Sequence, residues 1–403
     1  MVTDSEMLQL DHISIFRDSL ISVLATATPG NLDEISQKLD AAGNTLEYRR
    51  YAENLFEILI AGRLIAPGGT FVEDGTEASP FSMFSSPDDL ASIKKHVEVF
   101  NKLMRRYKYL QRGFEDTLSN LLQYLNKFTP EDTNKLAIAT GLFCASGLAS
   151  LVVLNVLFKE HLVKEGLSLQ FVTTVFKTYL GEQTVEQFGQ NLSRSGMSDR
   201  LLDFFPPNKR DENAFARHFE AEDMKQLVAF HNRKQVAMRK ENIIETIKTL
   251  LEEGKLAECL AYLKTQVKES GLPEPELISL VWIGVMASVD WGTRADQIDN
   301  MILKQVNQYS KLLKSFCTSP KTEIALLQTI QVNFYEDARF TKQFRAVSQL
   351  LYKNDVVSEA AILYWAEKGA KAQGRNMFTN QMAPFVEWLK NASDDEEDEE
   401  DEE

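Results

Sequence analysis

Turn formers are scarce in this chain of 403 residues, which holds only 19 Gly and 11 Pro. Together they make up about 7% of the residues, against an average usage of roughly 12%. A sequence with so little punctuation reads as long helices joined by short loops, which argues against a β-sandwich or barrel. Cysteine is also sparse. Cys144, Cys259 and Cys317 lie far apart and are odd in number, which excludes a disulfide framework and fits reduced thiols in a cytoplasmic protein. No apolar run reaches the roughly 18 residues of a membrane helix, and Met1 to Leu10 has no basic stretch leading into an apolar one, so no membrane partner is expected. The sequence also lacks the G-x-x-x-x-G-K-[ST] and G-x-G-x-x-G loops that cradle phosphates. Its five histidines, His12, His96, His161, His218 and His231, never fall at metal-binding spacing, and there is no C-x-x-C. Cys144 sits within the apolar Leu142-Phe143-Cys144-Ala145, the setting of a buried thiol rather than of a nucleophile. Neither catalysis, a resident metal nor a cofactor is therefore expected.

The charge is abundant but unevenly placed. The formal net charge is −15, and ten of those units come from the unbroken acid run Asp394 to Glu403, which leaves −5 on the rest. Such a run repels itself and buries nothing, so a disordered tail is expected from residue 392 to 403. It serves either as a solubiliser or as bait for a basic partner. Duplex DNA is excluded as its direct partner, because phosphates are repelled.

Helical periodicity dominates the remainder. Ser86-Pro87-Asp88-Asp89 and, 43 residues later, Thr129-Pro130-Glu131-Asp132 both read as helix starts: a hydroxyl cap, Pro in the first turn and a carboxylate at the third position. Apolar residues then recur at Leu90, Ile93, Val97, Phe100, Leu103, Met104 and Tyr107. Further helices are predicted over 46–64, 136–158, 169–180, 243–251, 256–267, 277–289, 298–316, 324–334, 340–352, 360–370 and 382–389. Pairs spaced by about 40 residues are the pattern of HEAT-like repeats. The expected fold is all-α, with two HEAT-like solenoid domains over 1–230 and 231–391. Breaks are placed at 190–215 and at the polar stretch His231 to Glu241, and 67–80 reads as a loop.

Two surfaces attract interest. Lys102, Arg105, Arg106, Lys108 and Arg112, interleaved with Tyr107 and Tyr109, form a basic cluster. It is either a solvated helix face with stems lying over the core, or a patch for an acidic protein or RNA. A leucine zipper is not supported there: Leu103 and Leu110 stand seven apart, but the next heptad positions are Thr117 and Tyr124, and Gly113 interrupts. Near the C-terminus, Ile362-Leu363-Tyr364-Trp365-Ala366-Glu367-Lys368 and Pro384-Phe385-Val386-Glu387-Trp388-Leu389-Lys390 each place a Trp beside an apolar stripe with carboxylates close by. Both tryptophans read as core anchors. Glu359, Glu367 and Glu387, with Asp394, Asp395, Glu396 and Glu397 beyond, then read as an acidic face suited to a lysine-rich, initially disordered partner.

These two segments resemble the aromatic and acidic boxes of the W-two domain, the C-terminal HEAT domain of translation initiation factor five and of the epsilon subunit of factor two-B. Residues 46–59, Ala66-Pro67-Gly68-Gly69-Thr70, 100–110 and Leu162-Val163-Lys164-Glu165-Gly166 resemble the basic leucine zipper and W-two domain proteins, also called initiation-factor-five mimics. The resemblance implies a domain like the middle domain of initiation factor four-G over 1–230 and a W-two domain over 231–391. It implies binding to the lysine-rich tail of the factor-two beta subunit and to initiation factor three, within the ribosomal pre-initiation complex. Competition with factor five would then repress initiation and the use of non-AUG start codons. The zinc-ribbon cysteines of the GTPase-activating module of factor five are not found here. From the residues alone, a helical-repeat adaptor to cytoskeleton or RNA, with a merely solubilising tail, stays open as the alternative.

Overall fold

The computed structural model describes the backbone of residues 4–269, 271–292 and 295–400, and the side chains of 12–268, 271–292 and 297–391. It divides into two compact units, Met1–Asn232 and Arg233–Glu403. Apart from one antiparallel bridge between Ile65 and Phe71, the described residues form no strand.

The first unit holds α1 (Asp4–Ala25), α2 (Leu32–Ala42), α3 (Ala52–Ala61), α4 (Leu90–Arg106), α5 (Gln111–Leu122), α6 (Pro130–Ala145), α7 (Glu160–Lys164), α8 (Leu167–Glu182), α9 (Val185–Arg194) and α10 (Glu212–Ala221). α1 packs on α3 and α3 on α5, while α2 packs on α4, α4 on α6 and α6 on α8. α1, α3 and α5 make one layer, and α2, α4, α6 and α8 the other. That alternation is how a helical repeat buries faces that no single pair can bury. Between the layers Phe56, Phe100, Phe114 and Phe143 interlock, with centroids 4.8–6.0 Å apart, in offset and edge-on arrangements that suit aromatic quadrupoles.

Helix α11 (Lys225–Glu252) spans the division, and the second unit continues with α12 (Leu256–Glu269), α13 (Glu274–Ala287), α14 (Ala295–Phe316), α15 (Pro320–Glu336), α16 (Phe344–Lys353), α17 (Glu359–Tyr364) and α18 (Arg375–Glu400). The same alternation recurs: α13 packs on α15 and α15 on α17, while α14 packs on α16 and α16 on α18. The all-α helical-repeat class expected from composition and periodicity is the class observed.

Several details differ from expectation. The cap of α4 is Asp89, which accepts from the Ser92 N–H at 2.9 Å, while the Ser86 hydroxyl donates to the Met83 carbonyl at 2.7 Å. A carboxylate beside four unpaired N–H groups is the better acceptor at the positive helix end. At α6 the expected grammar holds, with Thr129 accepting from the Asp132 N–H at 3.1 Å and Pro130 in first position. The stretch 136–158 is not one helix: α6 stops at Ala145, Gly147 takes φ +75°, and a 3₁₀ segment covers Leu151–Phe158. The break placed at 190–215 lies within the first unit, where Met197, Phe204, Phe205 and Phe215 are buried. The polar stretch His231 to Glu241 is helical, and the division between the two units falls near its start. Its Arg, Lys, Gln and Glu residues are good helix formers. His231, 2% exposed, anchors one end of α11 on Glu212 at 2.8 Å, and buried Ile243, Ile247 and Leu251 anchor the other. The backbone of α18 runs on to Glu400, past residue 392 at which the tail is placed. A helix already nucleated upstream propagates at little cost, although like charges four apart oppose it by a few tenths of a kcal/mol per pair. The side chains of Asp394, Asp395, Glu396 and Glu397 lie outside the described residues, as do residues 401–403.

Candidate functional site

The first box is built on α15. Its start is a capping box, in which Ser319 and Thr322 exchange side-chain and backbone bonds with Pro320 in the first turn. Along its inner face Leu327, Ile330 and Phe334 are fully buried, and so is Gln331. A buried amide must be hydrogen-bonded or it costs free energy. Here every group is used. The Gln331 carbonyl oxygen accepts from the Trp365 indole N–H at 3.1 Å and from the Lys371 N–H at 2.9 Å, and its NH₂ donates to the carbonyls of Lys371 at 2.9 Å and Gln373 at 2.7 Å. One turn earlier Gln328 donates to the Gly369 carbonyl at 2.7 Å. These bonds hold a turn of π-helix at Trp365–Gly369, which ends α17, a widened turn often found at functional sites. At the other end of α17, Ser358 caps the helix and gives its backbone N–H to Glu323 at 2.7 Å. Trp365 is fully buried, tilted on Phe344 at 4.9 Å, and Phe344 lies 4.8 Å from Phe378.

The second box follows on α18 and differs in kind. Phe385 is 5% exposed, whereas Trp388 is 55% exposed. Trp388 is therefore not the core anchor expected from its stripe. It stacks on Phe385 at 5.9 Å and 14°, and Tyr352 meets Phe385 edge-on at 5.9 Å and Trp388 at 6.4 Å. The helix turn that buries Phe385 and Leu389 toward α16 leaves position 388 at the margin of the seam. The two boxes do not share one aromatic cluster. Trp365 reaches α16 at Phe344 and Trp388 reaches it at Tyr352, eight residues or about 12 Å along the helix.

Tyr364 is 49% exposed, Glu359 is half-buried, and Glu367 and Glu387 are exposed. Glu367 pairs with the adjacent Lys368 at 3.2 Å. The boxes thus present carboxylates to solvent, while their aromatic residues divide between core and surface. Sequence reading missed Gln328 and Gln331. The available signal was a polar residue at a core position, since Gln331 stands four after Leu327 and three before Phe334 on an otherwise apolar face.

The basic cluster is partly engaged. Lys102 meets Asp33 at 2.5 Å and Arg106 meets Asp40 at 3.0 Å, so two of its cations bridge α4 to α2, and Arg112 stands 3.7 Å from Asp116. The Tyr107 hydroxyl donates to the Asp40 carbonyl at 2.8 Å. Arg105 and Lys108 are exposed, and the Arg49 guanidinium lies 4.9 Å above the exposed Tyr109 ring. No zipper is formed: α4 ends at Arg106, and Leu110 is buried in a 3₁₀ turn.

Chemistry elsewhere is muted. Burial pushes the Cys144 and Cys317 thiols up to about 12 and Cys259 to about 11, so their thiolates are suppressed. Among the described residues no group of three His, Cys, Asp or Glu side chains is placed to hold a metal ion, and no helix is long and apolar enough to cross a membrane.

Comparison with known proteins matches both units. Residues 8–241 fit the family model described as the 5MP1/2 HEAT domain, and residues 322–399, which include both boxes, fit the W2 model of eIF4-gamma, eIF5 and eIF2-epsilon. The eIF5-mimic protein 2-A of Danio rerio is 40% identical over 390 residues, 96% of this chain and 93% of that protein. The eIF5-mimic protein 2 of Homo sapiens is 38% identical over 388 residues, covering 96% and 92%, and eIF5-mimic protein 1 of Rattus norvegicus 37% over 392, covering 96% and 93%. The chain belongs to the eIF5-mimic protein family. The zipper wording attached to the family resemblance is carried neither by these matches nor by α4. Membership assigns the second unit's boxes to the domain type shared with eIF5, and it makes a regulatory rather than enzymatic role the one that fits.

Proposed function

We propose that this chain regulates translation initiation by presenting a partner surface like that of initiation factor five without catalysing a reaction. The supporting observation is that both boxes expose a carboxylate, Glu367 beside a Trp365 pinned by a buried hydrogen bond and Glu387 on the helix that leads into ten acids. In this reading Glu359, Glu367, Glu387 and Asp394 to Glu397 receive the lysine-rich segment of the factor-two beta subunit. Tyr364 and Phe385 flank the site, and Trp365 and Trp388 shape it from beneath and from the side. The acid run attracts the segment over a Debye length of roughly 8–10 Å, and the box carboxylates accept lysine heads at contact. Initiation factor three is the second partner, and through both the protein reaches the pre-initiation complex in the cytoplasm. It competes there with factor five, lowering initiation and non-AUG start-codon use. The basic cluster is read as a solvated face, because Asp33 and Asp40 engage two of its cations.

The test is a binding assay with a lysine-rich factor-two beta segment at rising salt, with factor five as competitor. Displacement of factor five, together with loss of binding on truncation after Asn391, supports the reading. Undiminished binding without the acid run, or no binding at all, sinks it in favour of a general scaffold.

A further inference from the structure

Arg345, Gln349, Tyr352 and Lys353 of α16 and Pro384, Phe385 and Trp388 of α18 line an open groove of about 490 Å³. Three observations set its chemistry. Its floor is aromatic: Trp388 lies flat on Phe385, and both meet the Tyr352 ring edge-on. Its two charged lining residues are both cations, Arg345 and Lys353, exposed and without an ion-pair partner among the described residues. Glu387 does not line it. Exposed indole beside unpaired cations is costly to leave idle and unsuited to lysine, which the rim repels.

We propose that this groove binds a short acidic peptide segment with an aromatic or aliphatic anchor: the apolar side chain on the Tyr352, Phe385 and Trp388 shelf, and carboxylates on Arg345 and Lys353. Arginine takes a carboxylate bidentately and lysine takes it as a point charge. The cations are eight residues apart on α16, about 12 Å, the span of roughly four extended residues. A segment with one anchor between flanking acids fits that span. The site shares Phe385 and Trp388 with the lysine-rich reading above but takes the opposite charge, on Arg345 and Lys353 rather than on Glu387. The acid run, starting six residues beyond Trp388, repels an acidic segment at long range and so weakens its binding.

The experiment uses the full chain and a labelled synthetic peptide holding one Phe and one Leu between aspartates. Binding is expected, weakened about tenfold at low salt by Arg345→Glu with Lys353→Glu and less by the corresponding Gln pair. Trp388→Ala should weaken it, while Trp388→Phe keeps the shelf and most of the affinity. Truncation after Asn391 should tighten it a few-fold, the reverse of its effect on a lysine-rich segment, so failure of one site is distinguishable from failure of the other. A thermal melt of each variant confirms the fold. Two results overturn the proposal: unchanged binding by the charge-reversed pair, or equal binding of a peptide in which Ser replaces the Phe and Leu. Displacement by a uridine oligonucleotide in the second case would mark the groove as a phosphate surface instead.

Discussion

The two aromatic boxes look alike in sequence, each with Trp, Glu and Lys within a few residues, and they end in opposite environments. Trp365 is fully buried, with its indole N–H satisfied by a buried glutamine, while Trp388 is 55% exposed and stacked only on neighbours at a helix seam. The first box is thus a structural joint that also displays acids, and the second is a surface with an aromatic shelf. The difference arises from what lies opposite. α15 supplies an amide at a core position that reaches both the indole and the backbone of Lys371 and Gln373 just past the π-turn. α16 ends at Lys353, one residue past Tyr352, and leaves the Trp388 ring partly uncovered.

The largest test of this contrast is stability. Trp365→Ala should cost about 3–5 kcal/mol, the range for deleting a buried large aromatic, whereas Trp388→Ala should cost about 1 kcal/mol, mostly a lost stacking contact. Urea unfolding of the second unit's transition measures both, and equal losses would erase the distinction. Next comes Gln331→Leu, nearly the same length but unable to bond. It strands the Trp365 indole, the Lys371 N–H and two carbonyls, at about 1–3 kcal/mol for an unsatisfied buried group, so a total of about 2–4 kcal/mol is expected. A loss below 1 kcal/mol would mean that water replaces the amide and that the joint is looser than its bonds suggest.

The acids give the third test. Glu387→Gln with truncation after Asn391 should leave the melting temperature almost unmoved, since exposed charges contribute well under about 1 kcal/mol each. It should weaken a lysine-rich segment about tenfold at low salt, chiefly through slower association, and the loss should shrink as salt rises. If dissociation changes instead, the acids contact their partner in a desolvated site rather than steering it.

How much of this was legible beforehand follows from what each residue reports. Periodicity in runs such as Leu277 to Val285 reports a local property, so the helices of the second unit were readable. α1 and α2 were not, because their apolar residues are mixed with Asp, Gln, Ser and Lys and depend on packing against α3 and α4. The boxes were legible as patterns, but burial of the two tryptophans was not, since it is fixed by residues on other helices: Gln331, Phe344 and Tyr352. Polar residues mislead most where they are good helix formers. The charge-rich centre of α11 reads as a break in sequence and is helical because its two ends are anchored by burial. The groove between α16 and α18 had no signal at all, as Arg345 and Lys353 gain meaning only beside residues about 40 positions away.

The smallest expected effect is spectroscopic and isolates Trp388 without disturbing anything else. Of the four tryptophans, Trp282 and Trp365 are fully buried, Trp291 is half-buried with its N–H on the Met286 carbonyl at 2.9 Å, and Trp388 alone is largely exposed. Acrylamide should therefore quench one accessible component over a shielded remainder. Trp388→Phe keeps a ring against Phe385 and Tyr352, so stability should change by less than about 0.5 kcal/mol, as for a surface substitution. Because the accessible indole is the one removed, the quenchable component should vanish and the residual emission should shift to the blue. Persistence of that component in the variant would place the exposed indole elsewhere, and the contrast between the two boxes would then fail at its most direct observable.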